Sequence, residues 1–445
     1  MALGGGTWTA QNKVLPGTYV NFVSVASASA SLSDRGIVTM PLALDWGVEG
    51  EVFEVTNEDF QKNTLKIFGY EYTADEIKGL RDLFLNAQTL YAYRLNGGGV
   101  KATNTYATAK FGGTRGNALK IKIAANVDDA TLWDVTTLMD TTVVDVQTVS
   151  SASELVANDF VTFKSFTITE AVAGASLSGG TNATVTAASH QAYLDAIESY
   201  SYNTMGVVTT ESTLKSLYVS FNKRLRDEIG KKFQLVVYNY PTADYMGVIS
   251  VDNKVLDGAT TSEGTTTYPN EAAAVYWVTG AEGGCAVNAS CQNKAYNGEF
   301  DIDVNYTQNQ LKAGILAGKF LFHSVNGDVR VLDDINTMVT TTDTQGDVFK
   351  DNQTIRVIDQ LANDAAVIFA TKYLGVVPND KAGRNSLWLD LVKIRQELMR
   401  LRAIEDFNDA DITVEQGDTK KAVLVTGTIT VVNAMSKLYM TTTIA

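Results

Sequence analysis

"TADEIKGLRDLFLNAQTLYAYRL", Thr73–Leu95, carries two periodicities in succession. Up to Ala87, the apolar residues Ile77, Leu80, Leu83 and Phe84 share one face of a helix whose start signal is Thr73. From Thr89 the side chains alternate as in a strand. Upstream, "GIVTMPLALDW", Gly36–Trp46, is an apolar run of the buried type. Two strands separated by a helix predict a parallel crossover, and with it an α/β domain.

The rhythm stops at 97 and restarts near 190. Between them, strand-like pieces such as "LKIKIAANV" and "TTVVDVQTVS" are separated by Gly, Asn and Asp. Helix signal there is confined to "SASELVAND", and the Gly-rich "SLSGGTNATV" closes the segment. Residues 98–189 therefore read as a β-rich insertion in an α/β core domain formed by 29–97 plus 190–345. The core resumes with a strand in "YNTMGVVTT" and a helix in "ESTLKSLYVSFNKRLRDEIGKK", striped by Leu214, Leu217, Tyr218, Phe221, Leu225 and Ile229. Strands in "FQLVVYNY" and "MGVISV", a helix at "NEAAAVYWVTG" and a hairpin turning at Asn326-Gly327 follow.

Residues 346–445 read as a C-terminal domain of helices plus sheet. One helix aligns Ile358, Leu361, Ala365, Ile368 and Phe369 and ends at Gly375. A second, 384–402, aligns Leu387, Leu391, Ile394, Leu398 and Leu401, a stripe that suits a core helix better than a coiled coil. Three strand-like pieces close the chain: "DITVEQ", "KKAVLVTGTITVV" and "KLYMTTTIA". At the other end, "PGTYVNFVSVASASASLSDRG", Pro16–Gly36, is a short apolar strand followed by small residues, Ala26–Ser33, that pack little and bend easily. No tight turn joins that strand to its own domain, so it is free to be placed elsewhere. The fold class is α/β and α+β multidomain, with an N-terminal arm and linker over 1–28 and a C-terminal arm.

The 445 residues are 45% hydrophobic and 19% charged, which suits packed domains rather than disorder. A net charge of −14 disfavours nucleic acid and anionic lipid as partners. No apolar run approaches the ~20 residues of a membrane helix. Residues 14–26 are interrupted by Asn21 and lack a charged leader, so synthesis and folding in the cytoplasm are expected. Cys285 and Cys291, spaced Cys-x5-Cys, fit neither a zinc knuckle nor a redox Cys-x-x-Cys. They read as two reduced thiols, a bridge being possible only for a chain that ends up outside the cell.

Chemistry is missing from the motifs. His190 and His323 stand alone, and no Gly-x-Ser-x-Gly elbow occurs. "GILAGKF" has the wrong glycine spacing for a phosphate loop, with Phe320 where a magnesium-binding hydroxyl belongs; it reads as a helix end at Gly318 before a strand. "KFGGTRGNALKIKI" precedes a strand rather than a helix, so Gly112, Gly113 and Gly116 read as a turn admitting positive φ, not a phosphate cradle. No enzyme, metal site or cofactor is expected.

"PGTYVNF", "FGGTRGNALKI", "FKDNQTIRVIDQLANDAAVIF" followed by "YLGVVPNDKAGRNSL", and the closing "TGTITVVNAMSKLYMTTTIA", in this order, resemble the tail sheath proteins of contractile phages. The likeness is greatest to those of phages and phage-tail-like bacteriocins of Gram-positive bacteria, and weakest in 98–189. It implies a non-enzymatic subunit that stacks as hexameric rings around a tail tube, between baseplate and terminator proteins, and contracts without nucleotide. It also implies arms that complete neighbouring subunits' sheets. The donated N-terminal strand would be Thr18, Tyr19, Val20, Asn21, Phe22, Val23 and Val25. The C-terminal sheet and arm would use Val423, Leu424, Val425, Ile429, Val431, Leu438, Tyr439 and Met440. Lys393 and Arg400 lie seven apart, opposite the Leu stripe and near Arg395 and Arg402. They form either a solvated face balanced by Glu397 and Glu405 or a positive patch that grips an acidic tube. Another self-assembling structural protein, such as a surface-layer or decoration protein, would share the acidity and β content.

Overall fold

The computed structural model describes residues 32–262 and 265–444. The donated-strand residues Thr18–Val25 lie outside them. In chain order the first unit comprises β1 (Ile37–Leu42), β2 (Val52–Thr56), α1 (Asn57–Phe68), α2 (Lys78–Phe84) and β3 (Thr89–Arg94). A β unit follows: β4 (Ala107–Ala109), β5 (Leu119–Ala125), β6 (Trp133–Met139), β7 (Thr142–Val149), β8 (Val161–Phe163) and β9 (Val172–Ser176). Next come α3 (Ala187–Ile197), β10 (Thr204–Val207), α4 (Ser212–Arg224), β11 (Gln234–Tyr238), β12 (Val248–Val251), β13 (Thr260–Ser262) and β14 (Thr265–Thr267). The same unit continues with α5 (Ala274–Gly284), α6 (Gln308–Leu316), β15 (Lys319–Phe320), β16 (Phe322–Val325) and β17 (Asp328–Val331). The last unit has α7 (Asn352–Ile368), α8 (Lys381–Arg400), β18 (Ile404–Glu405), β19 (Ile412–Gln416), β20 (Val423–Gly427) and β21 (Thr430–Val431).

The central sheet runs β15-β12-β11-β10-β1-β3-β2. Its pairs are parallel except β2 with β3. β1 and β3 pair as the crossover predicts, with Ile37 opposite Thr89. Alternate residues of the strands feed cores on two faces. Val236 and Ile249 join Val38, Met40, Leu90 and the helices α2 and α5 on one side. Leu235, Val237 and Val248 join Met205 of β10 and Tyr193, Tyr218 and Phe221 from α3 and α4 on the other. Close backbone approach sets α5 against this layer: a Cβ on Gly280 would lie 2.2 Å from the Leu83 carbonyl oxygen, so a side chain there would force α2 and α5 apart.

Several expectations need correction. β2 and α1 stand between the two predicted strands. α1 is the properly capped helix, with Thr56 Oγ1 accepting from Asp59 N and Gly69 at φ +78°. The helix expected from Thr73 begins with a 3₁₀ turn at Asp75 and is α-helical only from Lys78, and no side chain caps it. "SASELVAND" yields one 3₁₀ turn, Ala152–Glu154, because Ser150 and its hydroxyl bond Glu154 and the strands around it claim the chain. Of the three glycines assigned to a turn, only Gly113 has positive φ (+136°). Gly112 is needed instead for space, since its Cβ would meet the Gly99 carbonyl oxygen at 2.2 Å. Ile229 and Phe369, expected on apolar stripes, are 56% and 37% exposed because both lie in π-helical turns that rotate them off the α-helical register.

The β unit packs β7-β6-β5-β9 over Leu119, Ile121, Ile123, Val135 and Trp46, with β4 and β8 pairing separately. His190 is buried, its Nδ1 2.7 Å from Tyr218 Oη. Asn326 and Gly327, at φ +54° and +95°, turn the β16–β17 hairpin, and Gly318 at φ +71° ends α6 before β15. In the last unit the stripe Leu387, Leu391, Ile394 and Leu398 is core. The third C-terminal strand, 437–444, is not formed within the subunit: those residues have no strand partner among the described residues.

Candidate assembly surface

α7 is the element from which the surface is built. A lone helix of this composition would sit on its neighbours through Ile358, Leu361 and Ala365, yet these are only half-buried. The deepest part is Asn352–Val357, where Ile355 and Val357 are buried among polar side chains that carry the attachments to the core. Arg356, fully buried, donates through Nη2 to Glu282 Oε2 on α5 at 2.6 Å and through Nη1 to the Ala289 carbonyl at 2.6 Å, and its Nη2 lies 3.4 Å from Asp334 Oδ2. Asn352 links Asp334 to Gln234 on β11, at 2.9 and 2.8 Å. One turn past Arg356, Asp359 receives both terminal nitrogens of Arg226 at 2.6 and 2.7 Å, with both side chains buried. Burial and the neighbouring Asp334 push the Glu282 carboxyl well up, while the Arg356 charge and hydrogen bonds hold Asp334 down against burial. The core and the C-terminal helices are thus joined by ion pairs, whose breaking strands a buried charge.

Both ends of the described chain are rooted on α7. Ser33 Oγ bonds Asp364 Oδ1 at 2.6 Å and accepts from Gln360 Nε2 at 2.8 Å, and Leu32 packs on the C-terminal core. At the other end, Gln353 Nε2 donates to the Val432 carbonyl, Ala434 N donates to Gln353 Oε1, and Asn433 pairs with Thr354. Residues 353 and 360 are two turns apart, about 10 Å along the helix. Beyond Ala434 the tail leaves the surface: Leu438, Tyr439, Met440 and Ile444 are 79–94% exposed. Exposed in series, these side chains make the tail an uncovered apolar segment.

The same unit also carries an open strand edge among the described residues. β19 and β20 form a two-stranded antiparallel hairpin, Ile412 opposite Gly427 through Gln416 opposite Val423. Trp388 Nε1 bonds the Ile412 carbonyl and fixes β19 on α8. The outer edge of β20 has no strand partner among the described residues. Val423 and Val425 face an open groove of about 290 Å³ with Ala365, Phe369, Leu387, Leu391 and Arg395. Leu424 is exposed on the opposite face, and Ile429 and Val431 lean on the C-terminal core. β21 is short, pairing Val431 with Ile404.

The basic residues of α8 differ in their surroundings. Lys393 and Arg400 are exposed, but Arg400 is bound by Glu397 at 2.8 and 2.5 Å, and Lys393 Nζ is 3.7 Å from Asp390. Arg395 is buried, with Nη1 donating to Leu391 O and Nε unsatisfied; burial lowers its basicity. Sequence reasoning passed over Arg226, Glu282, Asp334, Arg356 and Asp359. The available signal was Arg356 and Asp359 set within an apolar helix, where a charge must find a partner.

A multidomain chain whose β20 edge has no strand partner among the described residues, and whose C-terminal tail holds apolar side chains in solvent, has the features of a self-assembling structural protein. Comparison with known proteins agrees. Residues 35–95 match the tail sheath protein Gp18 domain III N-terminal region, 97–182 the phage tail sheath beta-sandwich domain, 183–337 its central domain and 344–445 its C-terminal domain. The chain belongs to the phage tail sheath family, a structural family whose members form part of a virion tail or tail-like particle. It is 33% identical to the phage-like element PBSX protein XkdK of Bacillus subtilis, over 98% of this chain and 99% of that protein. The crystal structure of a sheath tail protein from Desulfitobacterium hafniense superposes with a TM-score of 0.80 at 36% identity, covering 95% of this chain and 99% of that one. The helical sheath of the anti-feeding prophage in its contracted state shares the fold, with a TM-score of 0.56 at 12% identity over 97% of this chain and 99% of that one.

Proposed function

We propose that this chain is the repeating subunit of a contractile sheath. It stacks as hexameric rings around a tail tube, starting at a baseplate and ending at a terminator protein. On triggering, it shortens irreversibly and drives the tube through a cell envelope. The rings are held together by strand exchange. Residues 18–25 of one copy and 437–444 of another add to the β19–β20 hairpin of a third, whose groove takes their alternate apolar side chains. The observation that supports this reading is the exposed apolar tail, fastened at Gln353 and Thr354, in the same unit as a β20 edge that has no strand partner among the described residues.

The division into an arm (1–28), a core (29–97 plus 190–345), an insertion (98–189) and a C-terminal domain (346–445) follows the same logic. Arms rooted on α7 pass tension to the helix with the firmest ionic attachment to the core, so a ring that rotates pulls its neighbour as a unit. Main-chain bonds of ~0.5–1.5 kcal/mol each persist while contacts between domain faces are exchanged. A bias of about 5.5 kcal/mol per subunit already takes a two-state change from 1:99 to 99:1. Assembly takes place in the bacterial host cytoplasm, and neither nucleic acid nor membrane is a direct partner. Electron microscopy of the purified protein tests the reading: hollow striated cylinders support it, and flat lattices or persistent monomers contradict it.

A further inference from the structure

The groove between α7, α8 and β20 is lined by apolar side chains with one exception, Arg395. That residue is 8% exposed. Its Nη1 donates to the Leu391 carbonyl of its own helix at 3.1 Å, and its Nε has no acceptor among the described residues. Apolar neighbours suit the stem of an arginine but leave the planar set of donors at its tip unanswered. A strand that closed this groove with apolar side chains alone would seal the cation from water without a partner. The occupant therefore has to bring an acceptor.

The composition of the two arms limits what that acceptor is. Residues 1–31 and 433–445 contain no Asp or Glu. Of the two segments assigned to strand exchange, 437–444 offers hydroxyls only, beside Lys437. Residues 18–25 carry one side-chain carbonyl, that of Asn21, whose planar amide oxygen suits a guanidinium fork. In a strand Asn21 shares its face with Tyr19, Val23 and Val25. The lengths agree: Leu387 to Arg395 rises about 12 Å along α8, and Asn21 to Val25 spans about 13 Å in a strand. The direction follows from width. Past Leu387, Phe369 and Val423 the groove continues into a hollow of about 100 Å³ toward Leu374 and Val377. That hollow suits Ala26 and the small residues after it better than Tyr19.

We infer that Arg395 sets the register of the donated strand. The inference rests on the strand-exchange reading and names the contact that reading lacks. Residues 18–25 of a second copy lie in the groove with Tyr19, Asn21, Val23 and Val25 inward. Asn21 Oδ1 accepts from Arg395, and Val25 reaches the Leu387 end. A slip by one residue turns Asn21 outward and sets Val20 or Phe22 over the guanidinium, and a slip by two sets Tyr19 or Val23 there. A lone buried polar pair thus selects one register of an otherwise apolar seam, as a single polar residue does in a coiled coil.

The test measures the concentration at which the purified full chain begins to sediment as polymer. Asn21→Val and Arg395→Leu should each raise it about tenfold or more, the size of one hydrogen bond to a charged group. The double variant leaves neither group over and should return to within about threefold of wild type. Asn21→Asp should assemble at a lower concentration than wild type, and at a higher one when combined with Arg395→Leu. In urea unfolding at low concentration, Arg395→Leu should leave the single subunit at least as stable, which separates a role in assembly from one in folding. Single variants without effect, a double variant as poor as the two singles combined, or a destabilised Arg395→Leu subunit would overturn the inference. So would Thr442→Val taking the place of Asn21→Val in the cycle, which would hand the groove to the C-terminal tail. Deleting residues 1–28 tells the two claims apart. If the deletion stops assembly while the cycle shows no coupling, strand exchange stands and the Arg395–Asn21 contact falls. If the deleted chain still polymerises, or the wild-type chain never does, both fall.

Discussion

Replacing Arg356 with Met removes the cation that joins α7 to the core while keeping much of the side-chain volume. Two carboxylates, Glu282 and Asp334, lose a partner at 2.6 and 3.4 Å, and the Ala289 carbonyl loses its donor; Arg356 and Glu282 are 0% and Asp334 1% exposed in their side chains. Stranding one member of a buried ion pair costs ~3–5 kcal/mol. Glu282 is already disposed to hold a proton, which places the loss at the lower end of that range, about 3 kcal/mol at neutral pH. A partial remedy follows: Glu282→Gln on the Arg356→Met background removes one of the two buried carboxylates left without their cation, and its repulsion of Asp334, and should return ~1–2 kcal/mol. The assay is urea unfolding of the full chain at low concentration, read by tryptophan fluorescence, to which Trp277 contributes from the core beside Tyr296 and Phe322. A loss below ~1 kcal/mol for Arg356→Met, or a double variant less stable than the single one, would refute the view that this cluster fastens the helices to the core.

Four other outcomes are expected. Asp351 caps α7 by accepting from Thr354 N, and burial with Asp334 and Asp333 raises its carboxyl from 3.8 to about 6. The folded state therefore binds that proton more tightly than the unfolded one, and stability falls as pH rises from about 4 to 6. Asp351→Asn, an equally good cap, should gain ~1–2 kcal/mol at pH 7 and nothing below about pH 4; a gain that is independent of pH would contradict this. Arg395→Leu removes a buried charge that has no carboxylate partner among the described residues and should stabilise the isolated chain by ~1 kcal/mol, whereas a loss of that size would assign the guanidinium a role within the chain. Lys393→Glu with Arg400→Glu should stop the protein from coating tail tubes, and normal extended tails would dismiss these residues as the tube contact. Deleting residues 1–28 should leave a folded protein that stays unassembled on velocity sedimentation, and striated cylinders from that variant would argue against the arm.

The alternation in "TLYAYRL" and the apolar run before it were enough to find the parallel pair β1–β3, because buried parallel strands leave a dense apolar signature. The Leu stripe of α8 was legible for the same reason. α1 was missed: its buried residues, Phe60, Thr64 and Phe68, are few, and its clearest signals are the Thr56 cap and Gly69. π-helical turns at 225–229 and 369–373 displaced Ile229 and Phe369 from stripes drawn on a 3.6-residue repeat. The ionic fastening of α7 was illegible because its partners come from α4's extension, α5 and the loop after β17, so tertiary contact alone unites Arg226, Glu282, Asp334, Arg356 and Asp359. The basic face of α8 looked continuous in sequence, but Glu397 and Asp390 fall on the same turns as Arg400 and Lys393 and answer them locally.

A helical reconstruction of the assembled particle by cryo-electron microscopy, at a resolution that traces main chain, bears most directly on strand exchange. The density should carry residues 18–25 of one copy, and 437–444 of another, alongside Val423–Gly427 of a third as consecutive antiparallel or parallel strands, in both the extended and the contracted state. An intact sheath in which each subunit's termini lie on its own hairpin, with no main-chain pairing between copies, would contradict it.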